Sequence, residues 1–413
     1  MLLVILNIMN QELRKILPYT ILLISISSIL PWCTLPIGNT FLWWLLQCFI
    51  LFIFYKLKPI KYVIQPIKLF FFCLCFSAIY GAIFMAEYYW DWKLLVNNLI
   101  IFSLPLASLV FGNPIYLPQI LKFWFKYAWI ILILLIPFLS SDAYGRFLVP
   151  YTFLALFITS FKKKYIILTI AAYLITITLG SASRSDTIKF SLCLILGLSM
   201  LFSFLWKSRK SIWSITIAII IAPIIFFILG ISGIFNIFNI ENELGLKKKY
   251  ELRNSNSYES SALIDTRTFL YIEELQSAVK HNYVILGHSI ARGYESQSFG
   301  DWIDQALGIK RGERQSCETS ILNIFNYFGI VGVIIYFIIF FRASFLAIHH
   351  SRNIYIPVIG VYVAFRWLFA WIEDFSKFDL NYLFIWIFIG ICYSPIFRNM
   401  SNQDFKKWLN RIC

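Results

Sequence analysis

Four charged residues lie where a long apolar run begins or ends. They are Arg184 in ITLGSASRSDTIKF, Arg267 in IDTRTFLYIEEL, Glu318 in SCETSILNIFNYFGIVG and Arg366 in FRWLFAWIEDF. A guanidinium grips a phosphate through a forked pair of donors. Arg184 is therefore either an anion clamp or an interfacial anchor paired with Asp186. Arg267 is either a second clamp, suited to a diphosphate, or a partner of Asp265 or a neighbouring Glu. Glu318 precedes an apolar helix. It is either an acid favoured by the helix dipole, worth ~0.3–1 kcal/mol, or a general base whose pKa partial desolvation would raise. Arg366 and Glu373 stand seven residues apart and read as one helix face. That spacing gives a structural pair or a cavity residue. His288 and Arg292, in the glycine-flanked GHSIARG, read as loop structure or as ligand contacts. His281 reads as a helix end. Asn97 and Asn98 read as helix–helix bonding or the lining of a polar groove.

These residues need a frame, and composition supplies it. Of 413 residues, 60% are hydrophobic and 14% charged, against about 25% charged in an ordinary soluble chain. The apolar residues fall in blocks long enough to cross ~30 Å of hydrocarbon as helices. The expectation is an all-α polytopic membrane protein of about twelve spans, near 16–32, 40–55, 67–86, 94–111, 124–139, 147–161, 165–181, 187–206, 212–239, 320–341, 354–373 and 381–397. The sixth and seventh are short.

Lys and Arg orient such a chain. Arg14 and Lys15, Lys56 to Lys68, Lys122 and Lys126, Lys162 to Lys164, Lys207 to Lys210, Arg342 and Arg352, and the tail cations all fall on one side of twelve spans. Both termini are then cytoplasmic. The net charge of +15 goes to fixing topology, and a basic soluble face for nucleic acid is not found. MLLVILNIMN lacks the basic leader and cleavage site of a signal peptide. Of the cysteines, Cys33 and Cys317 read as facing outward, where a bridge between them is one option.

Residues 240–317 interrupt the rhythm, dividing the chain into spans at 1–239, a large outer loop, and spans plus tail at 318–413. The loop opens polar, with ENELGLKKKYELRNSNSYESS. It continues into an amphipathic helix with Asp265 as N-cap and Phe269, Ile272, Leu275 and Val279 at helical spacing. A glycine- and aromatic-bearing stretch follows, with a short helix at DWIDQALG. P-loop, G-x-G-x-x-G, H-E-x-x-H and metal-cluster patterns do not occur.

In order and sidedness, GSASRSD, DTRTFLYIEEL followed by VILGHSIARG, and ETSILNIFNYFGIVG resemble three landmarks of the O-antigen ligases and Wzy-type O-antigen and capsule polymerases. Gly329 and Gly332 keep that family's glycine spacing. The resemblance covers about 175–190 and 260–335. It implies a GT-C-like membrane glycosyltransferase of the bacterial inner (cytoplasmic) membrane, with its large loop periplasmic between spans nine and ten. The implied donor is a glycan on undecaprenyl diphosphate and the acceptor another glycan, with a chain-length regulator as a further partner. Arg184 and Arg267 would neutralise the departing diphosphate. Glu318 would take the acceptor's proton, and His288, Arg292 and Arg366 would bind substrate. The arginines would stand in for a metal, and no cofactor is implied. Ligases typically carry histidine where this chain has Glu318, which favours a polymerase. The rivals are a ligase acting on lipid A-core, a lipid-glycan flippase or other transporter, and a scaffold or sensor.

Overall fold

The computed structural model describes residues 2–59, 64–180, 184–202, 204–231 and 268–412. Arg267, the Asp265 cap and the polar opening of the long loop lie outside these residues.

Among the described residues, seven helical stretches are long and apolar enough to cross a membrane: Gln11–Trp32, Thr40–Leu57, Gln65–Met85, Tyr89–Phe111, Tyr116–Phe138, Arg209–Leu229 and Ser320–His349. The shorter apolar helices Tyr355–Phe369 and Leu380–Tyr393 form the centre, and every residue of the second is buried. A helix surrounded by other helices has no polar face to keep, so an unbroken apolar sequence suits it. Proline shapes the rest. Pro105 sits in the break between Tyr89–Ile101 and Leu106–Phe111. Pro150 starts the second of two short helices, Ser141–Phe147 and Pro150–Leu156; the first fills the connection before the span read at 147–161, and the second lies within that span. Lys163–Thr178 and Arg184–Ser199 complete the long elements.

Hydrogen bonds gather the connections at two ends. At one end Ser140 N donates to Trp32 O (2.9 Å), Ser27 Oγ to Phe378 O (2.8 Å) and Ser320 N to Glu373 O (3.2 Å). At the other, Arg209 Nη2 donates to Asn353 O (2.9 Å), Ser394 Oγ to Gly112 O (2.6 Å) and Trp408 Nε1 to Pro114 O (2.7 Å). Arg352, Arg398, Lys406 and Lys407 belong to the second end; residues 268–317, the described part of the long loop, belong to the first.

The described part of that loop is folded. A helix, Thr268–Lys280, leads to a hairpin of Tyr294–Glu295 with Glu313–Arg314, and Gly300–Leu307 between them is helical. DWIDQALG is thus a helix as read, ended by Gly308 at φ +68°. The first helix is turned differently from the reading. Ile272 and Val279 are exposed, while Leu270, Glu273, Glu274, Ser277 and Ala278 are buried. Polar partners decide this. Glu273 accepts from Ser296 Oγ (2.7 Å) and Ser298 Oγ (2.6 Å), and Ser277 Oγ accepts from Tyr283 OH (2.7 Å). Two other readings change. Cys33 and Cys317 are both free thiols, since Cys33 pairs its backbone with Leu139 while Cys317 is buried beside Glu274. Arg366 and Glu373 do not share a helix face, because the helix ends at Phe369 and Glu373 lies in the following turn.

Candidate functional site

The first turn of Arg184–Ser199 carries its chemistry inward. Lys189 Nζ lies 2.7 Å from Asp186 Oδ1 and 2.9 Å from Glu373 Oε2, all three buried. Ser185 Oγ donates to Glu373 Oε1 (2.7 Å). Ser320, the first residue of its helix, meets the same turn. Its N–H donates to Glu373 O, and its hydroxyl lies 3.4 Å from Asp374 Oδ1 and accepts from Phe375 N. A carboxylate–ammonium–carboxylate group out of water must be nearly complete in partners to be tolerated, and serine hydroxyls help to complete this one. Gly145 makes room, since a Cβ there would stand 2.6 Å from Asp186 Oδ2. Arg184 begins the helix and is exposed. The starts of the 184 and 320 helices therefore converge on residues 373–375, a convergence that sequence distance conceals.

Glu318 lies two residues before Ser320, and Thr319 is the N-cap. The Glu318 carboxylate is 52% exposed and accepts from Arg314 Nη2 (2.9 Å), while the Arg314 guanidinium sits 4.6 Å over the Phe299 ring. Its partner is thus a side chain of the hairpin.

His288 and Arg292 are built into the loop. The His288 ring stacks on Tyr283 at 4.5 Å, and Nδ1 donates to Gly293 O (2.6 Å). Burial lowers its pKa, Glu313 opposing, so the ring is neutral at pH 7. Arg292 forks onto Glu313 through Nε and Nη2, and Nη1 donates to Met85 O (3.4 Å). Arg366 is buried beneath the ionic group. It donates from Nη1 to Asn381 Oδ1 (3.0 Å) and lies 4.8 Å over Phe375. Its Nε and Nη2 meet no hydrogen-bond partner among the described residues.

A cavity of about 660 Å³ opens at the same end. Trp32, Trp43, Trp44, Asn97, Gln47, Arg146, Lys377 and Asp379 are in its wall. Arg146 lies 4.0 Å from Asp379 and 5.1 Å over the Trp32 ring. Burial pushes the Asp379 carboxyl up to about 6, against the pull of Tyr382 N–H and of Arg146, Lys377 and Lys189. The short helix Ser141–Phe147 separates this cavity from the ionic group, with Arg146 facing one and Gly145 the other. Tryptophan faces, amides and two cations can hold sugar rings and an anionic group together. Asn98 plays another part, donating to Ile290 O (2.9 Å) in the loop.

Sequence reasoning passed over Lys189 and Arg146, and it weighed Asp186 only as a partner for Arg184, whereas Asp186 pairs with Lys189. The signals were present: Lys189 is a charge inside an apolar span, and Arg146 is a cation in an otherwise cation-poor connection. No protein-family model matches the chain, and no curated protein matches it.

Proposed function

We propose that the chain is a membrane glycosyltransferase that polymerises oligosaccharide repeat units carried on undecaprenyl diphosphate, at the outer face of the bacterial inner membrane. One observation carries the reading. The starts of the 184 and 320 helices converge on the Glu373–Asp374 turn through Ser185 and Ser320, and a cavity of about 660 Å³ opens at the same end, roomy enough for sugar rings and an anionic group. Twelve traverses with both termini cytoplasmic fit the two groups of connections, because the cation-rich ones meet at the end opposite the cavity. The outer loop at that cavity end is then periplasmic.

In the reaction an acceptor hydroxyl attacks the anomeric carbon of the donor. The new C–O bond forms as the bond to the diphosphate oxygen breaks, and the electron pair leaves with the diphosphate. Inversion follows from a single displacement. The hydroxyl proton passes to Glu318, which must leave Arg314 or share it. Arg184 and Arg267 offset the charge growing on the leaving group. Exposure keeps Glu318 within reach of an acceptor in water, and the pair with Arg314 fixes where its carboxylate stands.

The test is the surface-glycan ladder on a gel from a deletion strain complemented with wild type, Glu318→Gln or Arg184→Ala, with membrane levels checked by blot. Single-unit glycans at normal protein levels are expected from both variants. Loss of all attachment would transfer the reading to a ligase. A full ladder from both would remove Glu318 and Arg184 from the chemistry.

A further inference from the structure

The long helix Ser320–His349 is broken at Gly329, whose backbone is non-helical (φ +63°, ψ −163°). A break exposes N–H and C=O groups that have no helical partner. The loop supplies partners. Ile330 N donates to Val284 O (2.9 Å) and Val331 N to Ile285 O (3.4 Å), while His288 N donates to Asn326 O (2.6 Å). The segment 283–288 is thus stitched into the break on both sides. Gly287, at φ +80°, lets the two backbones touch; a Cβ there would overlap the Phe328 amide. On the far side the loop is fixed to another helix, where Ile290 N donates to Ser77 Oγ (3.0 Å).

The side chains at the tip of this turn point outward. Val284, Ile285 and Leu286 are 37%, 65% and 56% exposed. Three adjacent large apolar residues in water are unusual on a folded loop. Their neighbours are membrane surface. Ile330, Ile334 and Ile338 form an exposed stripe below the break, and Phe76, Ile79, Ile83 and Phe84 are exposed on Gln65–Met85. Residues 330–349 rise about 29 Å as a helix, close to the ~30 Å of the hydrocarbon layer. The break therefore falls at the layer's outer boundary, and the turn lies beside it. Polar groups fit the same level. The Val284 and Ile285 carbonyls are paired, as hydrocarbon requires. The nearby charges of Lys280, His281 and Glu295 pair with one another.

We propose that Val284, Ile285 and Leu286 form a membrane-inserted prong, whose side chains enter the acyl chains of the outer leaflet and hold the folded segment 268–318 down on the bilayer. The partner is phospholipid acyl chain, because the turn is bonded to Ile330 and Val331 at the head of the exposed Ile330, Ile334 and Ile338 stripe, and the Gln65–Met85 helix that holds Ile290 through Ser77 exposes Phe76, Ile79, Ile83 and Phe84. The prong is independent of the glycosyltransferase reading and would hold for any activity of this loop.

The experiment uses the full chain with its cysteines replaced by alanine, reconstituted in phosphatidylethanolamine–phosphatidylglycerol vesicles. Ile285→Cys and Leu286→Cys carry an environment-sensitive fluorophore, and Asp301→Cys, on the exposed face of the Gly300–Leu307 helix, serves as the aqueous control. Blue-shifted emission at 285 and 286 is expected, quenched several-fold more by acyl-chain nitroxide lipids than by aqueous iodide, with the reverse order at 301. Iodide quenching at 285 and 286 equal to that at 301 would overturn the proposal. So would shielding from both quenchers, which would mean that protein covers the turn.

Discussion

Lys189 shows how a single charge can organise a membrane bundle. It neutralises Asp186 from its own helix and Glu373 from a distant turn, with little water near any of them. Removing one partner of such a group strands the others, at about 3–5 kcal/mol. Lys189→Met should therefore lower the unfolding temperature in detergent sharply, and adding Asp186→Asn and Glu373→Gln should recover much of the loss. Equal stability of Lys189→Met and wild type would remove the group from the energetics. Glu274 is a different kind of buried acid. Burial raises its carboxyl well above the ordinary value, with Tyr283 and Cys317 as its partners. The folded state thus holds this proton more tightly than the unfolded chain does. Its contribution to stability is complete below the unfolded value, about 4.3, and is lost as the pH rises towards the raised one. Glu274→Gln keeps a neutral group of the same shape. It should cost at most about 1 kcal/mol and should flatten the fall in unfolding temperature as the pH rises above about 4.3. An unchanged slope would mean that Glu274 is already ionised.

At the scale of elements, the glycines of the loop and the broken helix have separable tasks. Gly287 has both a left-handed backbone and an overlap with the Phe328 amide awaiting any Cβ, whereas Gly308 has a left-handed backbone (φ +68°) and open space. Gly308→Ala should lose only the conformational preference, about 1–2 kcal/mol. Gly287→Ala should lose that and also drive the loop from the break, giving a larger drop in unfolding temperature. Thermal unfolding of the two variants side by side is the check, and equal losses would mean that the stitch at Gly329 is not a structural constraint. The glycine spacing of the sequence is legible here in hindsight. Gly329 breaks a helix, Gly287 lets the loop in, and Gly293 lies so close to the Arg314 carbonyl that a side chain would not fit. Spacing showed that glycine was wanted; it could not show which backbone would arrive.

Over the whole molecule, the contacts sort the connections into a polar, cavity-bearing end and a cation-rich end. If cations mark the cytoplasm, exposed residues at the two ends should label from opposite sides. In a cysteine-free background, an impermeant maleimide should modify Pro36→Cys in intact right-side-out vesicles and Gln403→Cys only after permeabilisation. The opposite pattern would invert the topology and, with it, the proposed periplasmic reaction.

Apolar blocks and sparse charge determined, from sequence alone, that this is a helical membrane protein, because hydrocarbon leaves the backbone few other ways to satisfy itself. The short DWIDQALG helix was legible for local reasons of period and polarity. Tertiary structure decided what lies beside what. The reading placed Ile272 and Val279 on the packed face of the loop helix, yet buried partners for Glu273, Glu274 and Ser277 turned that face outward. Arg366 and Glu373, joined by spacing, were separated by the end of their helix at Phe369, and Glu373 went to Lys189, 184 residues away along the chain. Periodicity records which residues share a face only while the helix lasts. Which charge meets which across the bundle is set by packing, and the desolvation cost of an unmatched charge makes that choice decisive.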